Sequence, residues 1–309
     1  MKGILVFVVG ITLIVMGCSD RKDGSDQPSS DGRLRIVATT GMIADAARNI
    51  VGEHAEVVGL MGAGVDPHLY KATQNDLKLL SEADIILYNG LHLEGKMADV
   101  LGKLAARKLV IALAEGLDTT LLRRPPEFEG AYDPHVWFDV DLWKRVAQNL
   151  TDTLTALDAE NVEVYRSNGG IYTASLDALD EWVIQQISTT PEKSRVLVTA
   201  HDAFGYFGGA YGIEVRGLQG ISTVSEAGLA DRAAMIDLIV ERKVKAVFIE
   251  SSINPKAIEA IVEGVNGRGH SVSIGGELFS DAMGEDGTPE GTYVGMVRAN
   301  VNTIVEALR

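Results

Sequence analysis

Two histidines of this chain end the same tripeptide, Asp-Pro-His, at His68 and at His135. Proline fixes its own φ and disfavours helical backbone in the residue before it, so each imidazole follows a stiff, extended segment. A ring held on such a non-helical loop is well placed to bind a metal. For either copy alone, a turn with an exposed histidine is the simpler interpretation, whereas the repeat favours two ligands.

A third histidine, His201, comes directly after the apolar run RVLVTA. This places it at the carboxyl end of a predicted strand, which is where open α/β sheets bind their ligands. In a two-lobed protein that end faces a cleft, opposite the two Asp-Pro-His loops. Taken alone, a helix cap or a buried, hydrogen-bonded ring is the alternative interpretation of this residue.

A fourth ligand cannot be chosen from spacing. Several acidic residues lie in loops or at strand ends of the second half, and each could instead cap a helix or pair with a basic side chain. Asp281 lies beyond the last predicted strand, mirroring His135 in the first half. The candidates are Glu226, Glu250, Glu277, Asp281 and Asp286.

Three neutral imidazoles and one carboxylate form the donor set of a borderline divalent ion. Zn²⁺ fits this set most naturally, and Mn²⁺ or Fe²⁺ fits if the carboxylate binds through both oxygens. The single cysteine, Cys18, excludes a cysteine-rich zinc site and an intrachain disulfide. Because the ligands must be deprotonated, we expect metal affinity to fall as the pH drops through histidine titration at about 6.5.

The elements that must position these residues alternate between short apolar strands and amphipathic helices, a pattern typical of parallel α/β units. Runs such as KAVFIE are apolar at nearly every position, as in strands covered by helices on both faces. We predict an α/β fold of two lobes, each with a four-stranded parallel sheet flanked by helices. The predicted strands are 34–39, 56–61, 84–88, 108–112, 195–199, 214–218, 245–250 and 271–274.

One long helix is predicted to join the two halves. Apolar residues recur every three or four positions over residues 159–188, a segment that spans about 45 Å at 1.5 Å per residue. Gly169 and Gly170 lie in its middle, so a kink or a break there is the alternative. Pro191 should end this helix. The predicted organisation is a first lobe at 34–158, a linking helix at 159–190 and a second lobe at 191–309.

The amino terminus has the order of a secretory signal: a positive charge, an apolar run of 13 residues and the small Gly17. That run is too short to span a bilayer. Since Cys18 follows directly, the segment resembles a bacterial lipobox, which implies removal of residues 1–17 and a lipid on the cysteine sulfur. Residues 18–33 are predicted to be a flexible tether. We therefore expect an extracytoplasmic protein, in the periplasm or on the cell surface, anchored to the membrane by that lipid.

The composition restricts the possible partners. Among 309 residues, 43 acidic side chains against 28 basic ones give a net charge of −15, which disfavours nucleic acid and weakly favours a cationic ligand. Removal of residues 1–17 takes away Lys2 and no acidic residue, so the mature chain would carry about −16 by the same count. We expect a monomer.

Several long motifs resemble one family: DPHLY, DPHVWFDV, TAHDAFGYF, AYGIEVRGLQGISTVSEAG, FIESSINPK and GGELFSDAMGEDGTPEGTYVGM. They are similar to the metal-binding lipoproteins of bacterial ABC importers, called cluster A-I or cluster 9, and the similarity runs from Leu34 to Arg309. The resemblance implies two lobes joined by one long helix, a metal buried between them, and delivery to a membrane permease with its ATPase. It also implies the metal ligands, which by position are His68, His135, His201 and Asp281.

The resemblance bears on the metal as well. Manganese-selective members have glutamate where this chain has His201, so the imidazole here favours zinc. Many zinc-dedicated members carry a long histidine-rich loop before the second motif, but residues 115–133 contain no histidine. We therefore expect Zn²⁺ or Mn²⁺ as the transported ion, one per chain. Candidates for orienting the rings are Asp66, Asp133, Asp202 and Glu250.

The favoured function is capture of a divalent metal and its delivery to a permease, without catalysis. A lipid-anchored zinc metalloenzyme is the alternative, because zinc with an open coordination position can generate hydroxide. Against it, HExxH is absent from the sequence and four protein ligands would leave no open position. An adhesin or scaffold lipoprotein is a third reading. His54, His92 and His270 match no ligand motif, and we expect them to have surface or structural roles.

Overall fold

The computed structural model of the protein describes residues 32–128 and 130–309. The predicted signal segment, Cys18 and all but the last two residues of the predicted tether lie outside the described residues. All eight predicted strands are present, although the last one lies further along the chain than 271–274. The strands are β1 Leu34–Ala38, β2 Ala55–Gly59, β3 Ile85–Tyr88, β4 Leu109–Ala112, β5 Val196–His201, β6 Glu214–Gln219, β7 Ala246–Glu250 and β8 Ser273–Leu278.

Nine α-helices accompany these strands within the described residues. Most of them bury one apolar face against a sheet or against the linking helix. The helices are α1 Gly41–Val51, α2 Gln74–Glu82, α3 Ala98–Ala105, α4 Val140–Leu157, α5 Val162–Ser188, α6 Gly205–Tyr211, α7 Leu229–Arg242, α8 Lys256–Gly267 and α9 Tyr293–Leu308.

The first lobe contains the predicted four-stranded parallel sheet, in the order β2-β1-β3-β4. The prediction of one four-stranded sheet in the second lobe is wrong in detail, because β5 pairs with β6 and β7 pairs with β8 in two parallel pairs. Strands β5 and β7 lie side by side. At their carboxyl ends the backbone N–H of His201 donates to the Glu250 carboxylate at 2.9 Å.

Helix α5 is the predicted linking helix, and it runs without interruption through both glycines. It begins at Val162 rather than at residue 159, because the preceding residues form the turn from α4. Gly169 faces Thr151 of α4, and a Cβ at this position would lie 2.7 Å from the Thr151 Cγ2. Close approach of the two helices therefore explains a glycine that would otherwise weaken a helix. The lobe bounds, first lobe 34–158 and second lobe 191–309, remain our proposal.

Buried aromatic side chains join the two lobes into one apolar core together with α5. Phe138 of the first lobe packs on Phe204 of the second, with their ring centroids 4.2 Å apart. Trp143 stacks on Tyr293 at 5.5 Å. Because packed cores resist deformation, this continuous core should restrict hinge motion between the lobes.

No α-helix among residues 32–128 and 130–309 is both long enough and apolar enough to cross a membrane.

The two neighbouring glycines of α5 provide a matched pair of substitutions. Gly170 has open space around its Cα, so Gly170→Ala should raise the free energy of unfolding by about 1 kcal/mol through helix propensity. Gly169→Ala should lower it by about 1–3 kcal/mol, because the new methyl group meets the stiff Thr151 side chain. Urea unfolding measures both changes. Stabilisation by both substitutions would contradict the close helix contact, and Thr151→Ala should relieve the defect of Gly169→Ala.

Candidate metal centre

Each Asp-Pro-His motif folds as the same local turn. The carboxylate accepts the backbone N–H of the histidine two residues later, from His68 to Asp66 at 2.8 Å and from His135 to Asp133 at 3.0 Å. Such Asx turns are a common use of aspartate before a turn residue. The first turn lies in the loop after β2, and the second directly precedes the short 3₁₀ helix at 136–138.

Carboxylates fix the orientation of two of the rings. Asp133 Oδ1 lies 2.8 Å from His135 Nδ1, and Glu250 Oε2 lies 2.6 Å from His201 Nδ1. Because ionised carboxylates only accept hydrogen bonds, each Nδ1 must carry a hydrogen. The Nε2 atoms of both rings are therefore left to face the space between the lobes, as is typical of histidines that bind metals.

Asp281 is held in the loop after β8 by contacts from two directions. The loop is bound to α9 because Asn300 accepts the backbone N–H of Phe279 at 2.9 Å and donates to its carbonyl at 2.7 Å. From the first lobe, Trp137 Nε1 donates to the carbonyl of Ser280 at 3.1 Å. These bonds place the carboxylate of the next residue between the histidine rings.

The four side chains predicted as ligands converge at one buried point. Their potential ligand atoms all lie within 4.8 Å of one another, and each of the four residues is at most 2% exposed. Both oxygens of Asp281 face imidazoles: Oδ1 lies 3.4 Å from His135 Nε2, and Oδ2 lies 3.3 Å from His201 Nε2. Oδ2 is also 3.7 Å from His68 Nε2, which in turn is 3.4 Å from His135 Nε2.

These separations suit ligands of a single transition-metal ion. Two ligands at 2.0–2.1 Å from a tetrahedral zinc are about 3.3–3.4 Å apart. In addition, both Asp281 oxygens and His201 Nε2 are buried without a hydrogen-bond partner among residues 32–128 and 130–309. Buried polar atoms are normally satisfied, so these three atoms indicate that a ligand is accommodated between them. The donor set and its spacing therefore fit a Zn²⁺ ion, and a carboxylate with two inward oxygens also permits Mn²⁺.

The three histidines differ in their affinity for protons. Burial and the other two rings lower the pKa of His68 to about 3, against the opposing effect of Asp281. Burial also lowers the pKa of His135, but the hydrogen bond to Asp133 and the negative charges of Asp133 and Asp281 outweigh it and raise the pKa to about 9. Thus His68 stays neutral at pH 7, whereas His135 holds a proton until a cation displaces it.

His201 and Asp281 form the most strongly coupled pair of the site. Burial lowers the pKa of His201, but the carboxylates of Glu250 and Asp281 raise it well above its usual value. Conversely, burial raises the pKa of Asp281, but the rings of His201 and His135 bring it well below its usual value. Protons on His135 Nε2 and His201 Nε2 therefore compete with a metal. Because both pKa values are raised, this competition begins higher than the pH of about 6.5 expected from the sequence.

The other candidates have different positions. Glu250 contacts the His201 ring and not the centre, which agrees with the orienting role considered for it, as for Asp133. Glu226, Glu277 and Asp286 are exposed and outside the cluster. The orienting role of Asp202 stays a prediction.

The remaining histidines lie away from the centre. His54 and His92 are exposed, and His270 Nε2 is 2.8 Å from the carbonyl of Val244.

Several supporting residues were not predicted from the sequence. Asn89 donates to the carbonyl of Pro134 at 3.0 Å, and its own backbone N–H donates to the buried Glu94 at 2.7 Å, so this pair supports the second turn. Asn89 directly follows β3, so its place at a strand end was the available signal. Thr223 donates to Asp66 Oδ2 at 2.6 Å from the second lobe. It lies within a recognised motif, but nothing in its spacing identifies Asp66 as its partner.

Known proteins are similar to this chain over nearly its whole length. The model of a family described as "ZnuA: Zinc-uptake complex component A periplasmic" matches residues 36–307. The manganese-binding lipoprotein MntA of Bacillus subtilis (strain 168) is 49% identical over 309 residues, which cover 100% of this chain and 99% of that protein. The zinc-binding protein TroA of Treponema pallidum (strain Nichols) is 50% identical over 285 residues, 92% of each chain.

Two further comparisons concern the fold and the type of transporter. The solved structure of the periplasmic zinc-binding protein TroA from Treponema pallidum matches with a TM-score of 0.87 at 50% identity, covering 90% of this chain and 99% of that chain. The manganese ABC transporter substrate-binding lipoprotein PsaA of Streptococcus anginosus is 30% identical over 312 residues, with 99% of this chain and 97% of that protein covered. The structural match confirms the predicted two-lobed α/β fold with a long linking helix.

The raised pKa values predict that metal loading releases protons. At pH 7 we expect about two protons per bound ion, from His135 and His201, because each Nε2 must lose its hydrogen to become a ligand. Affinity should therefore rise with pH from neutrality through about 9, where His135 loses its proton. Zinc calorimetry in two buffers of different ionisation enthalpy gives the proton count. A count of zero at pH 7 would show that both rings are already neutral in the empty protein.

Glu250 offers a test of the orienting carboxylates. Both its oxygens accept hydrogen bonds from His201, one from the backbone and one from the ring, whereas glutamine has one acceptor and lacks the charge. Glu250→Gln should therefore weaken zinc binding about 10–100-fold. Competition with a chelator measures this, and Glu263→Gln, at an exposed position of α8, is the matched control. Equal affinities of the two variants would contradict the orienting role.

Proposed function

The chain belongs to the zinc-uptake complex component A family, and from this membership we propose that it captures a divalent transition metal outside the cytoplasmic membrane. The metal is bound between the lobes and is the transported substrate. The ligands are the four buried side chains that converge there: His68, His135, His201 and Asp281.

One observation carries this proposal: the Asp281 carboxylate is buried with neither oxygen hydrogen-bonded within the described part of the chain, and three imidazoles surround it. Burying such a carboxylate is costly unless a cation compensates its charge. Protons on His135 and His201 compensate it in the empty protein, and a divalent metal would replace them. The relatives' names, manganese-binding and zinc-binding, agree with a cation of this class.

The donor set favours zinc without excluding manganese. Three imidazoles suit Zn²⁺, and by the Irving–Williams order the same site should bind Zn²⁺ more tightly than Mn²⁺. Because Asp281 Oδ1 and Oδ2 both face the rings, the carboxylate can also bind through two oxygens, as a larger coordination sphere requires. The relative named as manganese-binding is 49% identical and the relative named as zinc-binding is 50% identical, so sequence identity does not indicate which of the two metals this chain binds. Fe²⁺ meets the same requirements.

Delivery requires a membrane partner. PsaA is named as an ABC transporter substrate-binding lipoprotein, and MntA is named as a lipoprotein. By analogy with these relatives, this chain docks as a monomer on an ABC permease whose ATPase drives import. A lipid on Cys18, with residues 18–33 as tether, would keep it at the extracytoplasmic membrane surface.

The metalloenzyme alternative finds no support in the site. The family to which this chain belongs consists of transport proteins rather than enzymes. Hydrolysis by zinc needs an open coordination position and a free base, yet four protein ligands complete a tetrahedral sphere. Two carboxylates beside the site, Asp133 and Glu250, are hydrogen-bonded to ligand rings. An adhesin or a scaffold protein would not require a buried metal site, so the adhesin or scaffold alternative does not account for the four converging ligands.

Substitution of single ligands tests the proposal. Native mass spectrometry of the chelator-stripped protein should show one zinc per chain after reconstitution. His135→Ala and Asp281→Ala should each lose the bound zinc, because only three of the four ligands remain in either variant. His54→Ala, at an exposed position outside the site, should bind like the unmodified protein. Full zinc occupancy of His135→Ala would contradict the ligand assignment, and hydrolytic turnover by the loaded protein would favour the enzyme. Manganese titration of the same preparation gives the relative affinity.

A further inference from the structure

We propose that Thr223 is a positioning residue for metal capture, which holds His68 on the metal through Asp66 and thereby sets how fast the metal dissociates. The inference rests on the proposed function, because it assumes that His68 is a ligand. It concerns one contact between the lobes, the hydrogen bond from the Thr223 hydroxyl to Asp66 Oδ2 at 2.6 Å.

The carboxylates beside the three histidines are used differently. Asp133 and Glu250 each bind the Nδ1 of a ligand ring, and each also accepts that histidine's backbone N–H. Asp66 also accepts a backbone N–H, from His68 at 2.8 Å, but its other oxygen is bound to Thr223 rather than to a ring. The position of His68 therefore depends on the backbone of its loop, and that loop is tied to the second lobe through Asp66.

The hydrogen bond between Thr223 and Asp66 is largely shielded from solvent on the Thr223 side. Thr223 is only 8% exposed, although Val224, the next residue, is 53% exposed. A short O–H···O⁻ bond is charge-assisted and stronger than a bond between neutral groups. Breaking it leaves Asp66 Oδ2 without this partner in a half-buried place, which is costly. The contact is therefore more than an incidental surface hydrogen bond.

The other ligands depend on different contacts between the lobes. Trp137 of the first lobe donates to the carbonyl of Ser280, next to Asp281, and Tyr206 of the second lobe donates to the carbonyl of Asp133 at 3.0 Å. These aromatic residues belong to the apolar core that joins the lobes.

The loop of His68 packs differently, because its Val65, Tyr70 and Ala72 contact a core cluster of the first lobe alone. Between β2 and α2 the chain forms only turns and bends, and Leu69 beside the ligand is 47% exposed. Movement of His68 therefore need not disturb the aromatic core that joins the lobes, and Thr223 opposes the departure of His68 from the metal.

Two substitutions of Thr223 isolate the hydroxyl. Thr223→Val keeps the shape and removes the donor, whereas Thr223→Ser keeps the donor and removes a methyl group. In the full-length protein loaded with zinc, Thr223→Val should release the metal to excess chelator about tenfold faster or more. Thr223→Ser should stay close to the unmodified protein. Stopped-flow absorbance of the zinc–chelator complex measures the rates.

A second measurement distinguishes positioning from a general loss of stability. Hydrogen–deuterium exchange of the loaded Thr223→Val protein should accelerate in residues 60–73, which include the His68 amide bound to Asp66. The segments around His135 and His201 should be unchanged. Faster exchange confined to residues around position 223, or release rates equal to those of the unmodified protein, would overturn the inference. If the unmodified protein binds no zinc, the proposed function fails instead.

Discussion

The metal centre depends on one constraint, the burial of the Asp281 carboxylate among three imidazole rings. A buried carboxylate without hydrogen bonds requires positive charge nearby. Everything around it serves that requirement: Asp133 and Glu250 raise the proton affinity of His135 and His201, and both orient an Nε2 toward the carboxylate. The same arrangement that stabilises imidazolium in the empty protein presents three nitrogens and two oxygens to a metal.

The strands and helices that hold this centre are joined by a rigid, packed core. The carboxyl ends of β2 and β5 approach from opposite lobes, and an aromatic core with Phe138, Phe204 and Tyr293 keeps them in place. Helix α5 runs along both lobes, packed closely enough on α4 that one position has to be glycine. Large hinge bending would disrupt this core, so metal entry and release require smaller movements, such as the one that we propose for the His68 loop.

Local patterns in the sequence were sufficient for part of this structure. Both Asp-Pro-His turns and the place of His201 at a strand end follow from proline stereochemistry and strand periodicity, and the continuous α5 follows from its apolar stripe. Asp281 could be identified only by family resemblance, because its position depends on bonds from Trp137 and Asn300, far from it in sequence.

Other features depend on the tertiary arrangement alone. Thr223 and Asp66 are 157 positions apart, so no local pattern could pair them. The arrangement of the second-lobe strands in two pairs was missed for the same reason, because strand pairing joins segments that are distant in sequence.

The raised pKa values of His135 and His201 have a consequence for recognition by the permease. If a divalent ion replaces two protons, the total charge of the site is the same before and after loading. The protein would then project nearly the same long-range electrostatic field whether it carries cargo or not, and steering by charge could not tell the two forms apart. A transporter that avoids unproductive encounters with empty protein would have to detect a difference in shape at the mouth of the cleft.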